Sequence, residues 1–247
     1  HDETASSVAV GDLNGDGFLD IVQGNASTQN QPGQSYIYLN DGQGNFRTTG
    51  IQLGNKADTL SVAVGDLNSD GLLDIVQGNN GSSYVYLNNG QSGFTQTSPL
   101  RNLGRTQSVA VGDFNADGRL DIVQGNSGQS YIYLSNGQDG FIQIIAFGNF
   151  AFTYSVAVGD LNGDGFLDIT QGNKIRSYVY LNDGQGQSFT KSRPLGNSER
   201  TQSIAVGDLD SDGFLDIVQG NEGQSYVYVN HGQGDFAPRA MLGDREN

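Results

Sequence analysis

The sequence predicts an all-β protein, a five-bladed β-propeller with four antiparallel strands in each blade and an acidic loop between the first and second strands. Three observations carry that prediction. The segment Ser7-Val-Ala-Val-Gly-Asp-Leu-Asn-Gly-Asp-Gly-Phe-Leu-Asp20 returns with few changes from Ser61, Ser108, Ser155 and Ser203, and self-similarity at a period of roughly 40 to 50 residues marks blade-sized units. Apolar residues alternate with a period of two, and no stretch offers an amphipathic helical face. Glycine supplies 37 of the 247 residues against 4 prolines, which suits many tight turns and neither a collagen nor a proline-rich linker.

Within a unit the first strand is Ser-Val-Ala-Val-Gly. Val8 and Val10 share one face and Ser7 and Ala9 the other, so a bulky and a small face are both ready for burial between neighbours. Leu-Asp-Ile-Val-Gln-Gly is the second strand and Ser-Tyr-Ile-Tyr-Leu-Asn the third, with Tyr36 and Tyr38 on one side and Ile37 and Leu39 on the other. A hairpin at Asn40-Asp-Gly-Gln-Gly44, echoed at Asn88, Ser135, Asn182 and Asn230, uses residues that tolerate positive φ. The stretch from Phe46 to Leu53 is the fourth strand. The acidic loops open at Asp12, Asp66, Asp113, Asp160 and Asp208, the longer first interval coming from an insertion around Ser27 to Pro32. One domain results, with blades at about 1–54, 55–104, 105–148, 149–196 and 197–247. The path from Phe236 through both termini to Asp12 approximates one more inter-blade connection, so the ring is expected to close within one chain. The alternative is an open or oligomeric array.

Every acidic loop reads Asp-x-Asn/Asp-x-Asp-Gly-x-x-Asp. The members are Asp12, Asn14, Asp16 and Asp20; Asp66, Asn68, Asp70 and Asp74; Asp113, Asn115, Asp117 and Asp121; Asp160, Asn162, Asp164 and Asp168; and Asp208, Asp210, Asp212 and Asp216. Alternate residues present hard oxygen ligands to one centre and the glycine permits the bend, which selects calcium over zinc or copper. An Asp at the ninth position, rather than a Glu at the twelfth, sets the loop apart from an EF-hand. These loops hold 16 of the 27 acidic residues and leave the rest nearly balanced by 12 Lys and Arg. Two carboxylates ~4 Å apart repel by about 4 kcal/mol at an effective dielectric near 20, so about five structural calcium ions are expected. With no cysteine, neither disulfides nor thiolate metal sites are available.

These loops and the Tyr-Leu-Asn-Asp-Gly-Gln-Gly-Asn-Phe that follows resemble the FG-GAP/VCBS repeat of integrin α-subunit propellers and bacterial surface proteins. The resemblance covers essentially the whole chain in five copies. It implies a propeller, usually seven-bladed, stabilised by calcium in these loops; five blades are closer in architecture to tachylectin-type lectins, and some fungal lectins resemble integrin propellers with calcium loops.

The net charge of −15 argues against nucleic acid as a partner, and the short apolar runs argue against membrane insertion. Strand alternation puts the acidic loops and hairpins on one rim. On the other it puts Gln23, Asn25 and Tyr36, with their repeats Gln77, Asn79 and Tyr84; Gln124, Asn126 and Tyr131; Gln171, Asn173 and Tyr178; and Gln219, Asn221 and Tyr226. Amides that donate and accept beside an aromatic plane are what a sugar site needs. The same residues also suit strand-end turns and packing between blades. The expectation is a secreted or cell-surface, multivalent carbohydrate-binding protein with glycans or a surface glycoprotein as partner and no enzymatic activity. A protein-binding or adhesion scaffold is the alternative and a polysaccharide-acting enzyme the third. The features that do not repeat are the insertion from Ala26 to Gly33, the aromatic stretch from Phe147 to Tyr154, and Lys174-Ile-Arg176. None of them sets a nucleophile beside a base.

Overall fold

The computed structural model describes residues 4–28, 31–46, 50–90, 93–100, 104–137, 140–196, 199–232, 234 and 236–242. Among these there is no helix, and all regular structure is antiparallel sheet. The first sheet pairs β1 (Thr4–Gly11), β2 (Asp20–Ala26), β3 (Ser35–Tyr38) and β4 (Ile51–Leu53) in chain order, and the second pairs β5 (Thr59–Gly65), β6 (Asp74–Asn79), β7 (Tyr84–Asn88) and β8 (Phe94–Gln96). The last contains β15 (Thr201–Gly207), β16 (Asp216–Asn221), β17 (Ser225–Asn230) and β18 (Phe236–Leu242). Between them lies a six-stranded run of β9 (Thr106–Gly112), β10 (Asp121–Ser135), β11 (Phe141–Gly159), β12 (Asp168–Asn173), β13 (Ser177–Asn182) and β14 (Phe189–Leu195).

That run is two four-stranded units whose strands have fused. β10 pairs with β9 through its first half and with β11 through its second, and β11 then turns its C-terminal half to β12. The sequence explains the fusion. Where the first two units are joined by the polar stretch Gly54 to Asp58, the third and fourth are joined by Phe147-Gly-Asn-Phe-Ala-Phe-Thr-Tyr154, whose aromatic and β-branched residues favour continued strand. Part of the fourth strand of the first unit, residues 47–49, and residues 29–30 of the insertion lie outside the described residues.

Successive units meet through one interface used four times. Leu73, Leu120, Leu167 and Leu215 each place a methyl group 2.5–2.7 Å from where a Cβ would stand on Gly11, Gly65, Gly112 and Gly159 of the preceding unit, so a side chain there would force the leucine to shift. Val62, Val109, Val156 and Ile204 are buried against the preceding unit, and their backbone N–H groups donate to Ser7, Ser61, Ser108 and Ser155. The Asn88, Asn182 and Asn230 side chains donate to the carbonyls of Leu13, Phe114 and Leu161 at 2.7 Å. Four apolar cores follow, each shared by two successive units.

The expected closure of the fifth unit onto the first is not found among the described residues. Val8 is 65% exposed where its counterpart Val62 is 6% exposed, and Val10 and Leu19 are exposed as well. Gly207 and Gly220 have no atom of another sheet within 4 Å of a Cβ position. Gln23 turns to its own Asn25 at 2.7 Å, whereas Gln77 reaches back to Ser35 of the preceding unit. The physical reason is that the length of the terminal segments sets only whether a connection can span. The turn per unit is set by side-chain size at the interface, through contacts such as Leu73 on Gly11. The sheets follow one another in series in a way compatible with a propeller, and among the described residues the outer faces of the first and last sheets meet no neighbouring sheet.

Candidate functional sites on the two rims

On one rim each acidic loop is wound by its own side chains. The Asp12 carboxylate accepts from the backbone N–H groups of Gly15, Asp16 and Gly17, and Asp16 accepts from Phe18 N–H; the loop from Asp160 repeats the pattern. The sixth position has φ of 83–91° in all five loops, the left-handed region that favours glycine. At the fourth position Ser69, Ala116 and Ser211 hold a positive φ without being glycine.

The ninth position behaves differently. Asp74, Asp121 and Asp168 are buried, and each accepts from two backbone N–H groups, one in its own loop and one at the end of the third strand: Leu67 and Asn88, Phe114 and Ser135, Leu161 and Asn182. Asp20 and Asp216 do the same with Leu13 and Asn40 and with Leu209 and Asn230. Burial pushes the Asp74, Asp121 and Asp168 carboxyls up to about 6, against the opposing pull of those N–H donors. In the fifth loop, carboxylate oxygens of Asp208, Asp210 and Asp216 lie within 4.8 Å of one another, and Arg239 pairs with Asp210 at 3.2 Å. The donor set is all oxygen, and the carboxylates keep further lone pairs, which suits a hard divalent cation.

The opposite rim carries two clefts at the same place in the second and fourth units. The first has a volume of about 310 Å³ and is lined by Lys56, Asp58, Asn79, Asn80, Ser82, Tyr84 and Gln96 among others. The second, of about 320 Å³, is lined by Phe152, Asn173, Lys174, Ile175, Arg176 and Tyr178 among others. Each sits between the connection entering the unit, the loop joining its second and third strands, and the paired tyrosines of its third strand.

Models of the FG-GAP-like repeat match residues 26–77, 67–124, 113–170 and 169–219, and the FG-GAP repeat matches residues 4–38. The chain belongs to the FG-GAP-like repeat family. No curated protein matches it in sequence. Among solved structures, an Agrocybe aegerita lectin, described for its specific recognition of non-reducing terminal N-acetylglucosamine, superposes with a TM-score of 0.67 at 23% identity, covering 98% of this chain and 67% of that one. The V. cholerae biofilm matrix protein Bap1 superposes with a TM-score of 0.62 at 19% identity over 99% of this chain and 40% of its own length. At these identities the likeness is one of fold.

Within the FG-GAP units the sequence-predicted rim residues divide by depth. Gln77, Gln124, Gln171 and Gln219 are buried. Gln171 and Gln219 donate to Ser130 and Thr153 and to Ser177 and Thr201, and Gln77 and Gln124 accept from the Tyr86 and Tyr133 hydroxyls. These glutamines are interface residues, and the packing reading applies to them. Asn25, Asn79, Asn126, Asn173 and Asn221 each brace the loop after the second strand by donating to a carbonyl, that of Ser82 for Asn79 at 2.8 Å. The Oδ1 atoms of Asn79 and Asn126 are left without a hydrogen-bond partner. Tyr36, Tyr84, Tyr131, Tyr178 and Tyr226 remain half-buried, while their partners Tyr86 and Tyr228 are buried, which pushes their hydroxyls up to about 12. The reading from repeats alone missed Asp58, Asn80, Ser82 and Gln96, because these cleft positions change from copy to copy. That variation at otherwise fixed loop positions is the signal that marks them.

Proposed function

We propose that the chain is a secreted, calcium-stabilised propeller-type protein that binds carbohydrate, without catalysis, at repeated clefts on the rim opposite its acidic loops. The observation that carries the reading is the recurrence of one cleft in two units, each with a half-buried tyrosine face and an asparagine at its base. In the second unit the Asn79 Oδ1 is a buried acceptor with no donor, a state that costs about 1–3 kcal/mol and that a sugar hydroxyl would relieve. Among the described residues Asp58 is the single carboxylate lining either cleft, whereas glycoside hydrolysis ordinarily uses a carboxyl pair. Several weak sites on one rigid frame gain avidity against a repeated glycan.

Calcium would be held on the other rim by Asp12, Asn14 and Asp16 and their repeats, with the ninth-position aspartates joining the centre to the third strand. Loops of this type in extracellular modules bind at roughly 10⁻⁴ to 10⁻³ M, which suits a secreted location where calcium is millimolar. A glycan array, with agglutination as a check on valency, tests the reading; terminal N-acetylglucosamine, the ligand of the Agrocybe lectin, is the first probe. Glycan binding with agglutination is expected. Absence of any glycan ligand, together with one protein partner that footprints onto Phe147 to Tyr154, would assign the chain to the adhesion-scaffold class instead.

A further inference from the structure

The two clefts occupy equivalent positions but differ in chemistry. Strand register aligns them: Gln96 pairs with Tyr86 in the second unit, and Lys191 pairs with Tyr180 in the fourth. The residue after the bracing asparagine is Asn80 in one and Lys174 in the other, Ser82 becomes Arg176, and Asp58 becomes Phe152. A wall in which one acid, Asp58, is balanced by one base, Lys56, is thus replaced by one with two cations, Lys174 and Arg176, and an aromatic ring, with Lys191 standing over the Tyr178 ring at its edge. Lys191 Nζ lies 3.5 Å from the centroid of the Tyr178 ring and Lys174 Nζ lies 5.4 Å over Phe152. Among the described residues neither lysine has a carboxylate within 4 Å. Glu222, the counterpart of Lys174 in the fifth unit, is engaged by Arg200 at 2.6 Å.

This concentration runs against the charge of the whole chain. Five of its 12 Lys and Arg fall between Lys174 and Arg200, in a protein of net charge −15. Of these, Lys174 and Lys191 stand at the cleft without a carboxylate among the described residues, and their like charges repel unless an anion is shared between them; the acidic loops on the far rim lie beyond a Debye length of about 8 Å, where salt screens their pull. The rest of the wall is apolar: Phe152 is 50% exposed and Ile175 63% exposed. An exposed aromatic face beside two ammonium groups and a guanidinium fork is complementary to a pyranose ring that carries a carboxylate or sulfate.

From this geometry we infer that the cleft of the fourth unit is an acidic-saccharide site, selective for the carboxylate or sulfate of an anionic polysaccharide, while the equivalent cleft of the second unit takes a neutral sugar. The inference rests on the carbohydrate-binding reading and specifies it. Titration calorimetry of the calcium-loaded chain with an oligogalacturonate, a sulfated galactose oligomer and a neutral galactose oligomer, each in low and high salt, tests it. Either anionic oligomer is expected to bind at least tenfold tighter than the neutral one, with the advantage falling as salt rises; the two anionic probes distinguish carboxylate from sulfate. The double variant Lys174→Gln, Lys191→Gln changes exposed side chains and is expected to melt as the parent does. It should lose at least tenfold in affinity for the anionic oligomer and keep its neutral-glycan binding. Equal affinity for charged and neutral oligomers, or a double variant that binds the anionic oligomer as the parent does, overturns the inference and leaves the neutral-glycan reading standing. Failure of every oligomer, with a blank glycan array, overturns both.

Discussion

The first and ninth aspartates of a single acidic loop do different physical work. Asp121 is buried and its carboxylate is the acceptor for the Phe114 and Ser135 N–H groups, so Asp121→Ala leaves two buried donors unpaired at roughly 1–3 kcal/mol each. That loss is expected with and without calcium. The Asp113 carboxylate accepts from Asp117 and Gly118 at the exposed loop, and Asp113→Ala is expected to lower the melting temperature chiefly in calcium and little in chelator. Equal losses for the two variants in chelator would show that the ninth carboxylate ties nothing together. The burial of Asp74, Asp121 and Asp168 adds a pH dependence. Their folded-state values near 6 lie above the ordinary 3.8, so in chelator the folded chain holds more protons than the unfolded one between about pH 4 and 6. Stability of the metal-free chain is therefore expected to rise as pH falls from 7.5 to 5.5, read from chelated melts. Calcium favours the charged form and should abolish or reverse the trend.

At the scale of the strand, what was legible followed from pattern. The alternation of Val8 and Val10 with Ser7 and Ala9 announced a two-sided first strand, and Asn-Asp-Gly announced the hairpins. The fusion of β10 and of β11 was not foreseen, since every unit was read as four separate strands and Phe147 to Tyr154 as an aromatic stretch that does not repeat, where it supplies strand formers. Between a ligand site and packing the sequence did not choose for Gln77, because a period-two pattern names a face and not the neighbour that covers it. The glycine that ends each first strand carries a sharper test. In Gly65→Ala the new methyl meets Leu120 at 2.7 Å and Val111 at 3.3 Å, and overpacking of this kind costs about 1–3 kcal/mol. Gly207 occupies the equivalent position in β15 and meets nothing within 4 Å, so Gly207→Ala is expected to be neutral or to stabilise by ~0.5 kcal/mol through the lost entropy of glycine in the unfolded chain. Denaturant unfolding of the two variants, side by side, reads the difference in sign.

For the whole molecule the question is whether the series of sheets closes in solution, and the repeat makes its two ends comparable with four internal standards. Val62 is buried where the second unit meets the first, within the core that holds Leu13, Val22, Ile37 and Tyr86. Val8 occupies the same position in the first unit and is 65% exposed. Removing two methyl groups from Val62 forfeits burial and leaves a void, about 2 kcal/mol, which for a chain of this size lowers the melting temperature by ~4–8 °C. Val8→Ala removes surface that is already in water and is expected to stay within about 0.5 kcal/mol. In a ring sealed between the fifth and first units, Val8 would fill the space beside Gly220 as Val62 fills that beside Gly24, and the two variants would lose stability equally. The comparison is best made on dilute chain in calcium, where neither another copy nor a loosened loop contributes. A loss at Val8 matching that at Val62 would mean that the end faces meet each other, and that the side-chain sizes at the four internal interfaces allow a tighter turn than the described sheets display.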